Sequence, residues 1–176
     1  MADLTFNTAA GAVVERELLI LFMNTGTSAA PVWSAIGKRV EDSSLEYDWG
    51  DESKTDIFGH TYTTMKKPVI TQTFDPCELD SGDVAQVKIW NMAIRDQDIG
   101  AMTNNDLLVV HTYAGTADTA VFAERYGSCM VKPSGLGGSA NVGMPIDVTY
   151  GGTRTKGTAA VASNGTVTFT AEGGGD

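Results

Sequence analysis

The residues whose types could do chemistry are two histidines, two cysteines, a crowded set of acids and a glycine-rich stretch. His60 sits among polar residues, while His111 follows the apolar run Leu107–Val110. No Ser or Cys stands in a GxSxG setting that would make it an activated nucleophile. Cys77 and Cys129 belong to no CxxC or HxxxH arrangement, so zinc is not expected. They read as reduced thiols and not as a bridge. Asp48, Asp51, Glu52 and Asp56 suggest a calcium loop, but Trp49 and Gly50 fall where ligands are needed. A solvated acidic face is the better reading. Gly135, Gly137 and Gly138 imitate part of a phosphate loop, yet GK[ST] is missing and no helix follows. No catalytic residue, metal ligand or cofactor set emerges, and the chain reads as a non-enzyme.

The acids belong to a long excursion. Leu45, Tyr47 and Trp49 alternate with polar residues as a half-buried strand does, and Val69 to Phe74 alternates again after Pro68. Between them Asp48 to Lys67 runs for about twenty residues, where connections are commonly about 4–6. Ile57, Phe58, Tyr62 and Met65 punctuate it, so it is not compositionally disordered. An arm with apolar residues, built as a long hairpin or loop, is expected to touch something outside its own domain. The candidate contact residues are Trp49, Ile57, Phe58, Tyr62, Met65, Lys66 and Lys67. The lysines fit pairing with a neighbour's acids or protection of a strand edge equally well.

Composition bounds the rest. The 176 residues suggest one domain, able to bury roughly 70% of its unfolded surface. A net charge of −10 argues against a phosphate-binding surface, which needs clustered Lys and Arg. The longest clean apolar run, Leu18 to Met23, is far short of a membrane span. The opening residues carry an acid and no basic stretch, so no signal peptide is expected.

In chain order, residues 1–17 read as an extended arm and residues 18–171 as one β-domain. Strands are expected over Leu18–Met23, Pro31–Ile36, Arg39–Trp49, Val69–Phe74, Asp106–Tyr113 and Ala120–Val131, the last with Gly127 as a bulge. Ser81 to Arg95 reads as a helix capped by Ser81, with Val84, Val87, Trp90 and Ile94 on one face and Ala85, Ile89 and Ala93 on the other. A helix apolar on both sides is buried on both, against its sheet and against a neighbour. Lys132 to Gly143 reads as a flexible connection. A three-stranded meander closes the domain: Met144–Tyr150, Thr155–Ala162 and Thr166–Ala171, with Gly151-Gly152 and Ser163–Gly165 as turns. Residues 172–176 read as a loose tail. Trp33, Trp49 and Trp90 are expected in the core, with Trp49 also a contact candidate. This gives a mainly β class: a sandwich or barrel of about eight strands with one flanking helix.

The order of these elements resembles the major tail-tube proteins of long-tailed, siphovirus-type bacteriophages. The resemblance rests on Val32 to Val40 with its tryptophan and turn, and on Glu41 to Asp48. It rests further on Asp56 to Gly59 in the arm, the return Lys67 to Pro76, and the helix leading to Leu107–Tyr113. Ala123–Tyr126 and the closing hairpin with Gly152–Gly157 complete it, and together they span about residues 18 to 171. The resemblance implies a virion tail subunit, made and assembled in the host cytoplasm, that forms hexameric rings stacked into a tube. It implies that Asp48 to Lys67 and Met1 to Glu17 reach adjoining subunits and rings. It also implies tape-measure, tail-terminator and tail-tip proteins as partners, and DNA passing through the lumen without specific binding. The alternatives are an immunoglobulin-like binding or decoration module of a virion, and an inner-tube protein of a contractile injection or secretion system.

Overall fold

The computed structural model describes residues 4–173; what was expected of residues 1–3 and 174–176 lies outside the described residues. The strands are β1 (Leu19–Asn24), β2 (Trp33–Ile36), β3 (Leu45–Asp48), β4 (Glu52–Thr55), β5 (Thr61–Thr64), β6 (Val69–Phe74), β7 (Asn105–Thr116), β8 (Ala120–Pro133), β9 (Ile146–Thr149), β10 (Arg154–Val161) and β11 (Val167–Ala171). The helices are α1 (Val84–Trp90), which continues as a π-helical turn over Asn91–Arg95, and α2 (Ile99–Met102). The fold is mainly β, as the sequence indicates. Two further strands, β4 and β5, lie inside the arm.

All strand pairs are antiparallel; β4 and β5 pair only with each other, and the other nine strands form two sheets that share β8. One runs β2-β1-β7-β8-β10-β11 and the other β8-β9-β6-β3. The division of β8 has a local cause. Leu107 faces Tyr126 but Asn105 faces Cys129, so β8 carries one extra residue between them. This bulge includes the expected Gly127, although the left-handed backbone falls on Ser128, with φ 57°. A bulge bends its strand and sharpens its twist. Before it, β8 pairs with β10; after it, β8 pairs with β9.

The expected closing meander is therefore corrected. β10 and β11 form a hairpin, but β9 does not pair with β10. Gly151-Gly152 carries the chain across the bulge from one sheet to the other. A Cβ at Gly152 would stand 2.2 Å from Gly127 O, and one at Gly151 would stand 2.5 Å from Ser128 O. Only glycine permits backbones to pass so closely.

The main core joins both sheets and the helix: Leu21, Met23, Leu107 and Val109 from the first sheet, Ile70, Phe74, Ile146 and Val148 from the second, and Ala85, Ile89 and Met92 from the helical segment. Phe22, Leu108, Val110, Val121, Ala123 and Ala159 form a second cluster on the opposite face of the first sheet. β7 is thus buried on both faces, as its continuous apolar run requires.

Three other expectations change. The strand expected from Arg39 begins only at Leu45, because Arg39 takes a left-handed turn with φ 60° and Val40 makes a single bridge to Cys77. α1 starts at Val84 and is capped by Asp83, whose carboxylate accepts from Gln86 N at 3.0 Å; Ser81 lies outside it. Ala85 and Ile89 are buried, while on the other face Val84 and Val87 are exposed and Trp90 is half-buried, so the second face is only partly covered. The connection from Lys132 is partly β8, and its glycine stretch is closed by paired bonds between Gly137 and Gly143.

Candidate interaction surface: the arm and its base

The arm is a β-hairpin standing off the sheets. β4 and β5 pair from Glu52–Thr64 to Thr55–Thr61, and every residue in both strands is exposed. Its turn is built around one carboxylate. Asp56 Oδ1 accepts from Phe58 N at 2.8 Å and from His60 N at 2.9 Å. Tyr62 OH donates to Asp56 Oδ2 at 3.0 Å, and His60 Nδ1 lies 3.3 Å from the same oxygen. These donors, the His60 amide foremost, hold the Asp56 carboxyl below its ordinary range. Gly59 closes the turn at φ 81°, a conformation that glycine adopts without strain.

With Asp56 fixing the backbone, Ile57 and Phe58 point to solvent, 95% and 78% exposed. Tyr62, along the ribbon, and Met65, just past its end, are also exposed. Two further acids have local partners: Asp48 Oδ1 accepts from Gly50 N at 2.9 Å, and Glu52 meets Lys54 at 3.2 Å and Lys66 at 3.7 Å. Lys66 thus pairs within its own arm. Lys67 has no ion-pair partner among the described residues.

At the base, Lys66 N donates to Trp49 O at 2.9 Å. Tyr47 and Trp49 stack with centroids 6.0 Å apart and planes 15° from parallel. Trp49 is 45% exposed, which corrects its expected place in the core; Trp33 is buried as expected and Trp90 is half-buried. The structure therefore splits the seven candidate residues. Ile57 and Phe58 are at the tip, Tyr62 lies along the ribbon, and Trp49, Met65, Lys66 and Lys67 gather at the base.

Below the base is a cavity of about 440 Å³ walled by Tyr47, Trp49, Ile70, Tyr126, Tyr150 and Arg154. Its floor is the buried carboxylate of Glu124. Arg154 Nε donates to Glu124 Oε2 at 2.8 Å, and Tyr126 OH donates to the same oxygen at 2.5 Å. His111 Nε2 lies 3.3 Å from Glu124 Oε1 without hydrogen-bond geometry. His111 Nδ1 pairs with Tyr113 OH at 2.8 Å. Burial pushes the Glu124 carboxyl up, but His111, Arg154 and Tyr126 together outweigh it and bring it down to about 2. A carboxylate held this firmly ionised is a poor proton donor near neutrality. The arrangement ties β7, β8 and β10 together beneath the arm. Sequence reasoning passed over it, because nothing local reveals that Arg154 pairs opposite Tyr126. The one available signal was Glu124 and Tyr126 two residues apart on one strand face.

Cys77 and Cys129 are free and buried, as expected for reduced thiols. Burial pushes each up to about 11.

No family model and no curated protein matches this chain. Solved structures do. A chain from the sheath–tube complex of an extracellular contractile injection system (PVC), in its extended state, is 10% identical with a TM-score of 0.50, over 85% of this chain and 94% of that one. The likeness is one of fold. A chain from the tube-terminating cap of the anti-feeding prophage is 16% identical with a TM-score of 0.46, over 87% of this chain and 96% of that one. One from the PVC sheath/tube terminator is 11% identical with a TM-score of 0.48, over 84% and 99%.

Proposed function

We propose that this chain is a structural tube subunit of a phage-type tail, which associates with copies of itself into hexameric rings stacked as a hollow tube. The observation that carries the reading is the hairpin, a wholly exposed two-stranded ribbon with an apolar tip. A lone two-stranded ribbon is marginal in water and gains stability by docking. The fold shared with a chain of a sheath–tube complex supports it. The edge strands β2, β3 and β11 each pair on one side only, which leaves edges for neighbours in a ring.

Docking of Ile57, Phe58, Tyr62 and Met65 contributes about 1.5–3 kcal/mol each. Ordering costs about 0.5–1.5 kcal/mol per immobilised side chain. Trp49, Lys66 and Lys67 form the rim at the base. The charge of −10 suits a lumen through which DNA slides without sticking. Tape-measure, terminator and tail-tip proteins are the partners at the tube's interior and ends. The assembled form resides in the virion tail, with assembly in the host cytoplasm.

Negative-stain microscopy of concentrated protein tests the reading: rings or tubes are expected, and a persistent monomer overturns it. Deletion of residues 50–65 is expected to leave a folded chain that no longer polymerises. Normal tubes from that deletion would remove the arm from the account.

A further inference from the structure

The clefts of this chain differ in what becomes of their cations. In the cleft beside α1, Arg39 is taken by Glu78 at 3.4 Å and Asp80 at 3.2 Å. In the cleft over β1 and the segment after β2, Lys38 meets Asp80 at 2.9 Å, and Arg16 donates to Ser43 O at 2.9 Å and to Leu19 O at 2.6 Å. The cavity beneath the arm is different. Lys67 and Arg154 both line it. Lys67 is exposed and has no ion-pair partner among the described residues. Arg154 holds Glu124 through Nε alone, and its two terminal nitrogens make no hydrogen bond to the described residues. Its side chain stays 41% exposed. Glu124 supplies the carboxylate on the lining, and Arg154 and Tyr126 already occupy its Oε2. Two cations thus stand against one carboxylate, a local positive excess in a chain of net charge −10.

The walls are aromatic. Tyr47 and Trp49, two residues apart, bring their stacked rings to one side. Tyr126 and Tyr150 meet edge-on at 5.0 Å, and their hydroxyls are donated to Glu124 and Gln72. Those two rings therefore offer apolar and π surface, not free hydroxyls. A volume of about 440 Å³ lies at the small end of ligand sites and suits a single ring system. A flat ring packs well on such walls, and a free guanidinium beside a free ammonium suits a phosphate or carboxylate. The charge of −10 disfavours a long polyanion at the same place.

We propose that the cavity beneath the arm binds a small ligand consisting of a planar ring that carries a phosphate or carboxylate, with the ring on the aromatic wall and the anion between Lys67 and Arg154. The two cations come from different parts of the molecule, Lys67 from the return of the arm and Arg154 from β10. A bound ligand therefore ties the base of the arm to the sheets. The Lys66 amide, which donates to Trp49 O, lies at that junction and reports on it. The site is complete within one chain and does not depend on the self-association above.

The test is calorimetric titration of the full chain with adenosine monophosphate, adenosine, inorganic phosphate and benzoate. Adenosine monophosphate or benzoate is expected to bind at one site per chain, at least about tenfold tighter than adenosine or phosphate, as a charge-assisted contact added to a stacked ring requires. The tighter of the two identifies the anion as phosphate or carboxylate. The bound ligand is expected to quench Trp49 emission and to slow exchange of the Lys66 amide. Lys67→Ala, at an exposed position, is expected to weaken binding about tenfold with the thermal midpoint unchanged. The site is overturned if neither ring-bearing anion saturates, or if phosphate alone binds as tightly as adenosine monophosphate. Quenching that persists in Trp49→Phe, or full affinity in Lys67→Ala, overturns it as well. Negative-stain microscopy keeps the two proposals apart: rings or tubes from a chain that binds neither anion sink the site alone. Tight binding by a chain that stays monomeric sinks the proposed function alone.

Discussion

The arm and the sheets beneath it are both antiparallel β-structure, held by opposite means. In β7, Leu107 to Val110 are buried on both faces by residues distant in sequence. In β4 and β5 no residue is buried, and the ribbon is held by its own ladder and turn. The same contrast divides two carboxylates. Glu124 is buried, and its partners come from β7, β8 and β10. Asp56 is half-buried on an exposed arm, and its partners are the turn it forms. Interior residues are thus fixed by the rest of the fold, whereas the arm is fixed by itself. Its apolar side chains serve no interior of their own chain, which is why we assign them to contact.

The largest expected effect contrasts Phe74 with Ile57. Phe74→Ala should cost about 3–5 kcal/mol of stability in urea denaturation, because Phe74 lies in the main core. Ile57→Ala should stay within about 0.5 kcal/mol. Equal costs would erase the distinction between body and arm. Next, Glu124→Ala should cost about 3 kcal/mol, because Arg154 loses its counter-charge and the Tyr126 hydroxyl its buried acceptor. Asp56→Ala should leave the thermal midpoint in place and speed amide exchange at Phe58 and His60. A lowered midpoint there would mean that the turn supports the body.

A smaller effect follows from pH. The Glu124 carboxyl is held at about 2 in the fold against an ordinary 4.5. Its contribution is therefore complete above pH 4.5 and lost as pH falls towards 2. Glu124→Gln should flatten that part of the melting profile. Asp56 is also lowered from 3.8, so protection at the tip is complete above pH 3.8 and fades below it as the carboxyl protonates. The smallest effect is diagnostic. Cys77 and Cys129 should resist thiol reagents at neutral pH until the body unfolds, since both are buried and pushed up to about 11. Rapid labelling of either in the folded chain would contradict the packing described.

The parts legible in the sequence were those with a local cause. Alternating or continuous apolar residues gave β1, β6, β7 and β8, and the Ser163–Gly165 turn gave the β10–β11 hairpin. The arm announced itself by its length, and its exposed residues by punctuating a polar stretch. The N-cap moved from Ser81 to Asp83 because two suitable residues stand close together, and only the backbone decides which faces Gln86 N. The meander failed for a different reason. Three short strands separated by turns look alike whether each pairs with the next or with a strand formed earlier.

What the sequence determined by itself was the β class, the excursion from Asp48 to Lys67, and the capacity of Asp56 and Gly59 to close a turn, since all depend on neighbours within a few residues. The tertiary structure decided the bulge that divides β8 between two sheets. It also decided the meeting of Glu124, Arg154 and His111 and the bridge between Phe6 and Ala114. Each of these is a long-range pairing, and register between distant strands is set by how buried faces pack together, which no local pattern records.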